Sequence, residues 1–92
     1  PWEWHKPIFD LCKKLDLLVF SSPFDESAVD FLESLDVPMY KVASFENCDQ
    51  GLLRKIASTG KPIIMSTGAT QLSDLAESVN VLRESKVRDL VL

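Results

Sequence analysis

Four runs of this chain are apolar at successive positions and end in turn-forming or polar residues: Leu17–Ser21, Met39–Ala43, Ile63–Ser66 and Asp89–Leu92. Each is too short for a helix. Most are hydrophobic on both alternating positions, as in strands buried on both faces of a parallel sheet. Between them the spacing changes to that of helices with one apolar face. Ala28, Phe31, Leu32 and Leu35 recur at i, i+3, i+4, i+7, with Asp25 placed to cap the helix and Glu26 in its first turn. Leu52, Leu53, Ile56 and Ala57 repeat the pattern, and Gly60 stands where that helix should stop before Pro62. Leu72, Leu75, Ala76, Val79 and Leu82 predict a third helix, with Thr70 as its cap. An earlier helix carries Ile8, Leu11, Cys12 and Leu15, with Pro7 tolerated in its first turn.

The order α-β-α-β-α-β-α-β implies an α/β fold with parallel strands and right-handed crossovers. Ser22, Ser44 and Ser66 fall at or just after the ends of three successive strands, 22 residues apart each time. A constant period with short loops points to a (β/α) barrel, since doubly wound sheets reverse direction and vary more. An eight-unit barrel takes roughly 250 residues. Residues 1–92 are therefore expected to form one partial TIM-barrel domain, about half of the eight units. Such a sheet leaves two unpaired edges and an uncovered inner face, expected to carry Val19, Val42 and Ile64 or their neighbours. The expectation is a piece of a larger protein, or a chain that pairs with a second copy. An opening without Met and a strand running to Leu92 favour the first. Alone, the piece should self-associate and should not turn over.

Composition narrows the function classes. The 92 residues are 46% hydrophobic and 26% charged, ordinary for one globular domain. No apolar run is long enough to cross a membrane, and the opening Pro1-Trp2-Glu3-Trp4-His5 lacks the pattern of a secretory leader. A net charge of −4 argues against a nucleic-acid partner, which needs a basic face, but leaves room for a small anion. Cys12 and Cys48 are too few for a disulfide scaffold, and the single histidine, His5, makes a His-based metal site within the chain improbable. A cytoplasmic location is the default expectation.

In a parallel barrel the reacting groups gather at strand C-termini, where the βα loops surround one mouth. Here those ends supply Ser22, Lys41, Ser44, Glu46 and Ser66, with Gly68 allowing close backbone approach. Hydroxyls, helix-start N–H groups and an ammonium are the usual parts of a phosphate or carboxylate site. Lys41 is the informative member, because it is the only lysine inside a predicted buried strand. Its charge is costly there unless an anion compensates it. It either meets a ligand or pairs with Glu46 or another internal carboxylate. Any one of the serines alone reads better as a cap or turn residue, and their equal spacing is what raises them. Glu46 could bind a substrate hydroxyl, act as acid or base, or cap the next helix. Asp25 and Glu26 read as capping charges and His5 as a surface residue. Trp2 and Trp4 are expected to cover the outer helix layer, Cys12 to pack in the core, and Cys48 to lie nearer the site.

Three segments carry a resemblance: Ser21-Ser22-Pro23-Phe24-Asp25, Val37-Pro38-Met39-Tyr40-Lys41-Val42-Ala43-Ser44-Phe45-Glu46, and Gly60-Lys61-Pro62-Ile63-Ile64-Met65-Ser66-Thr67-Gly68. In order and spacing they resemble the sialic acid synthase family, whose members condense phosphoenolpyruvate with an N-acetylated amino sugar to give a nonulosonic acid. The opening Pro1-Trp2-Glu3-Trp4-His5 and the Ala43-Ser44-Phe45-Glu46 motif look more like the pseudaminic acid synthase branch. The resemblance implies that Lys41 contacts the phosphoenolpyruvate anion and that Ser44 and Ser66 share its phosphate and carboxylate cradle. Ser22 stands where the family often has threonine and keeps the hydroxyl. Glu46 would hydrogen-bond the acceptor sugar.

The family also implies a divalent cation, manganese or magnesium, held by two histidines outside this chain, so that no metal ligand is expected within it. It further implies a C-terminal antifreeze-like domain, absent here, and a homodimer in the full-length enzyme. Two other readings stand beside this one. They are another phosphoenolpyruvate-dependent aldol-type barrel synthase and a non-catalytic, anion-binding half-barrel.

Overall fold

Each helix begins and ends where short-range chemistry requires it. The computed structural model describes residues 1–92, with helices α1 (His5–Lys14), α2 (Glu26–Ser34), α3 (Gln50–Ala57) and α4 (Leu72–Glu84) alternating with strands β1 (Tyr40–Val42), β2 (Ile63–Met65) and β3 (Leu90–Val91). Short 3₁₀ turns occupy Trp2–Trp4 and Ser44–Glu46. Asp25 caps α2 by accepting from the Ala28 N–H at 2.8 Å, as its position predicts. Asp49 does the same for α3 through the Leu52 N–H at 3.0 Å. Thr70 does not cap α4: the N-cap is Gln71, without a side-chain bond, and the Thr70 hydroxyl turns to Cys48 Sγ and the Gln71 carbonyl.

At the other end, every helix is followed by a residue in the left-handed region: Asp16, Asp36, Gly60 and Lys86, with φ between 54° and 72°. After α1, α2 and α4 the turn closes with paired bonds of the Schellman type. Asp36 N–H reaches Glu33 O and Val37 N–H reaches Leu32 O, and Lys86 and Val87 repeat this on Arg83 and Leu82. Only α3 uses glycine for that conformation.

The sheet is parallel, in the order β1-β2-β3. The expected first strand, Leu17–Ser21, is not one: only Ser21 bridges to Tyr40, its carbonyl accepting the Lys41 N–H at 3.2 Å. In that register the positions opposite Leu17–Phe20 are Asp36–Met39. Asp36 belongs to the turn ending α2, and Pro38 has no N–H to offer. Leu17 and Leu18 accordingly remain 57% and 69% exposed.

The 22-residue serine period is not a register repeat either. Ladder partners are 19 residues apart at Ser21–Tyr40, 23 at Tyr40–Ile63 and 27 at Ile63–Leu90. Ser22 therefore comes level with Lys41, Ser66 with Ala43, and Ser44 with Thr67. The serines still share one end of the sheet, each reached through a connection of different length.

The core lies between the sheet and its helices. Tyr40, Val42, Ile63 and Met65 meet Val29, Leu32, Leu52, Leu53, Ile56 and Leu82 there. Val42 is buried on this side and Val19 packs against the same cluster, so of the three residues expected on the uncovered face only Ile64 lies there, beside Lys41. On α1 the inward stripe is His5, Phe9 and Cys12, while Ile8, Leu11 and Leu15 face outward. The expected stripe is thus rotated by one position, because the aromatic Phe9 takes the inward place. Trp2 stacks on Phe31 of α2, centroids 4.5 Å apart, and covers the helix layer as expected. His5 is half-buried, edge-on to the same ring at 5.2 Å, rather than a surface residue. No helix is long and apolar enough to cross a membrane.

Candidate functional site

Alternation along β1 sets the site. Tyr40 and Val42 point into the helix layer, which turns Lys41 to the opposite face. The strand is fixed from the core side. Tyr40 Oη donates to Glu33 Oε1 at 2.5 Å, and Lys61 Nζ meets the same carboxylate at 2.9 Å. Burial, and then the Glu33 carboxylate beside it, push the Tyr40 phenol well above its ordinary range, so it stays a donor. Burial also pushes the Glu33 carboxyl up, but the hydrogen bonds from Tyr40 and Lys61 outweigh it and hold the group below its usual value.

On the open face, the half-buried Lys41 ammonium donates to Ser66 Oγ and to the Val42 carbonyl, the latter at 3.0 Å. Lys41 takes part in none of the chain's ion pairs, which join Lys6 to Asp10, Lys55 to Asp30, and Lys61 to Glu33 and Asp36. Pairing with Glu46 or another internal carboxylate, the alternative open from the sequence, does not occur. The ammonium therefore keeps donor capacity that no protein anion takes up.

Ser44 and Glu46 lie on the 3₁₀ turn that follows β1. Ser44 Oγ faces the loop after β2 so closely that a Cβ on Gly68 would sit 3.1 Å from it, a tight contact that glycine avoids. Glu46 Oε2 is buried and has no hydrogen-bond partner within the chain. Lys41 and Ser66 thus come into direct contact, with Ser44 on the adjoining loop.

Ser22 is placed differently. It lines a cavity of about 260 Å³ whose walls include Trp2, His5, Phe24 and Phe31. A second cavity, about 310 Å³, lies between Trp4, Ile8 and Phe20. Neither is lined by Lys41, Ser44, Glu46 or Ser66, all four of which are half-buried.

Asn47 is the residue that sequence reasoning missed. It is 2% exposed, and its side-chain amide donates to the carbonyls of Ser66 and Gly68, both at 3.2 Å. An asparagine in a turn ordinarily bonds its own backbone, so nothing in the sequence marks this one as a tie between two loops. Cys48 does lie beside the site, its Sγ 3.1 Å from Asn47 Oδ1. No group of three or more His, Cys, Asp or Glu side chains converges as a metal ion would require.

The comparisons with known proteins agree with the architecture. A model of the NeuB family matches residues 1–92. The chain is 47% identical over 92 residues to pseudaminic acid synthase of Helicobacter pylori, covering all of this chain and 27% of that protein. It superposes on the crystal structure of N-acetylneuraminic acid synthetase from Leptospira borgpetersenii with a TM-score of 0.89 and 26% identity, over 94% of this chain and 30% of that one. Spore coat polysaccharide biosynthesis protein SpsE of Bacillus subtilis gives a TM-score of 0.90 and 30% identity, over 98% of this chain and 25% of that one. The chain spans about a quarter of the length of the curated relatives it matches. Its three-stranded sheet and four helices correspond to part of their barrels.

Proposed function

This chain belongs to the NeuB family, and from that premise we propose that it forms the phosphoenolpyruvate-binding part of a nonulosonic acid synthase of the pseudaminic type. The relatives' names support the class of product. The observation that carries the reading is Lys41: a half-buried residue on the face of β1 opposite the core, its ammonium touching the Ser66 hydroxyl and lacking any carboxylate partner. A charge so placed fits a site that receives its anion from outside.

In this reading carbon 3 of phosphoenolpyruvate attacks the aldehyde of an N-acetylated amino sugar. Carbon 2 becomes electron-poor, water adds there, and phosphate leaves. Lys41, Ser44 and Ser66 hold the phosphate and carboxylate, fixing the enol against the aldehyde and stabilising charge as it moves. Ser22 lines the separate cavity beside Trp2, His5 and Phe31 and takes no part in holding the anion in this reading. Glu46 offers its unpartnered oxygen to a hydroxyl of the sugar. The divalent cation associated with the family finds no ligand set among this chain's side chains, and no step is assigned to it.

The test is steady-state kinetics of the full-length protein with each substrate varied. Ser44→Ala and Ser66→Ala should raise the KM for phosphoenolpyruvate, whereas Glu46→Gln should act on the acceptor sugar. Unchanged acceptor KM and unchanged kcat in Glu46→Gln would remove Glu46 from the site.

A further inference from the structure

The ladder between β1 and β2 runs out at Ser66, whose N–H still reaches the Val42 carbonyl at 3.0 Å. Beyond it Thr67, Gly68 and Ala69 are exposed, and Ala69 sits in the left-handed region at φ 53°. Yet this loop must stand close against Ser44 and keep Ser66 beside Lys41. Its anchor is the buried amide of Asn47, which spends both N–H donors on two carbonyls of the loop, Ser66 O and Gly68 O. The amide oxygen is occupied as well, by the Cys48 thiol at 3.1 Å. Among side chains of this size only asparagine presents two donors in one plane. Aspartate offers acceptors and serine a single donor, while glutamine is one methylene longer.

We propose that Asn47 is a positioning residue that clamps the Ser66–Gly68 loop onto the turn carrying Ser44 and Glu46. It thereby sets the place of the Ser66 hydroxyl relative to the Lys41 ammonium. The inference rests on the phosphoenolpyruvate reading given above. Asn47 makes no contact with substrate in this account and acts only through the loop it holds.

The test uses the full-length protein and two variants, assayed for phosphate release well below their melting temperatures. Asn47→Asp turns a carboxylate toward the two carbonyls and should raise the KM for phosphoenolpyruvate at least tenfold, with the acceptor KM within about twofold of wild type. Lowering the pH should bring that KM back toward the wild-type value, because a protonated carboxyl regains one donor. Asn47→Ala adds no charge, should show the same KM split without the pH recovery, and carries the test if the acidic variant does not fold. A residue of purely structural importance would lower the melting temperature and the active fraction while leaving both KM values alone. That result, or an equal rise in both KM values, overturns the proposal. Lys41→Ala run in parallel separates the two levels. If it raises the phosphoenolpyruvate KM and the Asn47 variants do not, the clamp alone is wrong. If it too has no effect, the anion site itself is misplaced and the clamp falls with it.

Discussion

Replacing Lys41 by methionine should have opposite consequences for the free protein and for its ligand complex. In the free protein the ammonium is half-buried and makes two hydrogen bonds but no ion pair. Methionine keeps most of the volume and removes the charge. Exchanging buried charged groups for apolar ones of similar size is often neutral or stabilising, by about 1–4 kcal/mol where several charges are replaced. With one partly solvated charge, Lys41→Met should leave the unliganded stability within about 1 kcal/mol of wild type or above it. On the proposed function, phosphoenolpyruvate should by contrast lose a charge-assisted hydrogen bond of about 1.5–3 kcal/mol, which is roughly 10- to 150-fold in affinity.

Thermal shift reads both effects in one experiment. Ligand at about 100 times the wild-type Kd stabilises by about 2.7 kcal/mol, and a thirtyfold weaker site retains only about 0.9 kcal/mol of that. The variant should therefore melt close to wild type or later without ligand and clearly earlier than wild type with it. A large loss of stability in the absence of ligand, with the ligand-induced shift intact, would refute the reasoning and make Lys41 a structural residue.

Tyr40→Phe should destabilise the chain by about 1.5–3 kcal/mol in urea melts, because it removes a hydrogen bond to a charged acceptor, and a loss under about 0.5 kcal/mol would contradict that. The same contact has a pH signature with two limbs. Glu33, held below its usual value, contributes fully above the ordinary carboxylate range, and its contribution fades as the pH falls through and below it. Tyr40, pushed above its ordinary value of 10.0, loses stability for the chain as the pH rises past that point. Both limbs should flatten in Tyr40→Phe, as melting temperatures across the pH range would show. Lys86→Gly should raise stability by about 0.5–1 kcal/mol, since glycine tolerates the left-handed turn that lysine adopts there at φ 65°. A lower urea midpoint in that variant would mean that the lysine side chain contributes a contact worth more than the backbone strain.

Helix positions were legible in the sequence wherever an apolar stripe and a cap agreed, as at Asp25 with Phe31, Leu32 and Leu35, although the fully buried Val29 lies outside the expected stripe. They were misread where two phases were both apolar. On α1, Ile8, Leu11 and Leu15 look as suitable for burial as Phe9, and only packing against α2 chooses between them. Leu17–Phe20 has the composition of a strand, but pairing depends on a partner, and Pro38 with the turn at Asp36 withholds it. For the site, Lys41 was conspicuous because a charge between Tyr40 and Val42 conflicts with a buried strand. Its nearness to Ser66 was not, since contact across 25 residues depends on register. Asn47 gave no sign, because its role lies in the direction of an amide rather than in residue type or spacing.

The strict in-and-out order of Tyr40, Lys41 and Val42 has a consequence for how mispairing is rejected. Slipping β1 by one residue against β2 would swing the ammonium into the apolar layer beneath the sheet and lift Tyr40 away from Glu33. Burying an uncompensated cation costs several kcal/mol even after relaxation, on top of the lost tyrosine contact. The wrong register is therefore disfavoured by the same side chain that the right one turns to the face opposite the core. Neutralising this one lysine should therefore relax the fidelity of strand pairing, whatever it does to the proposed anion site.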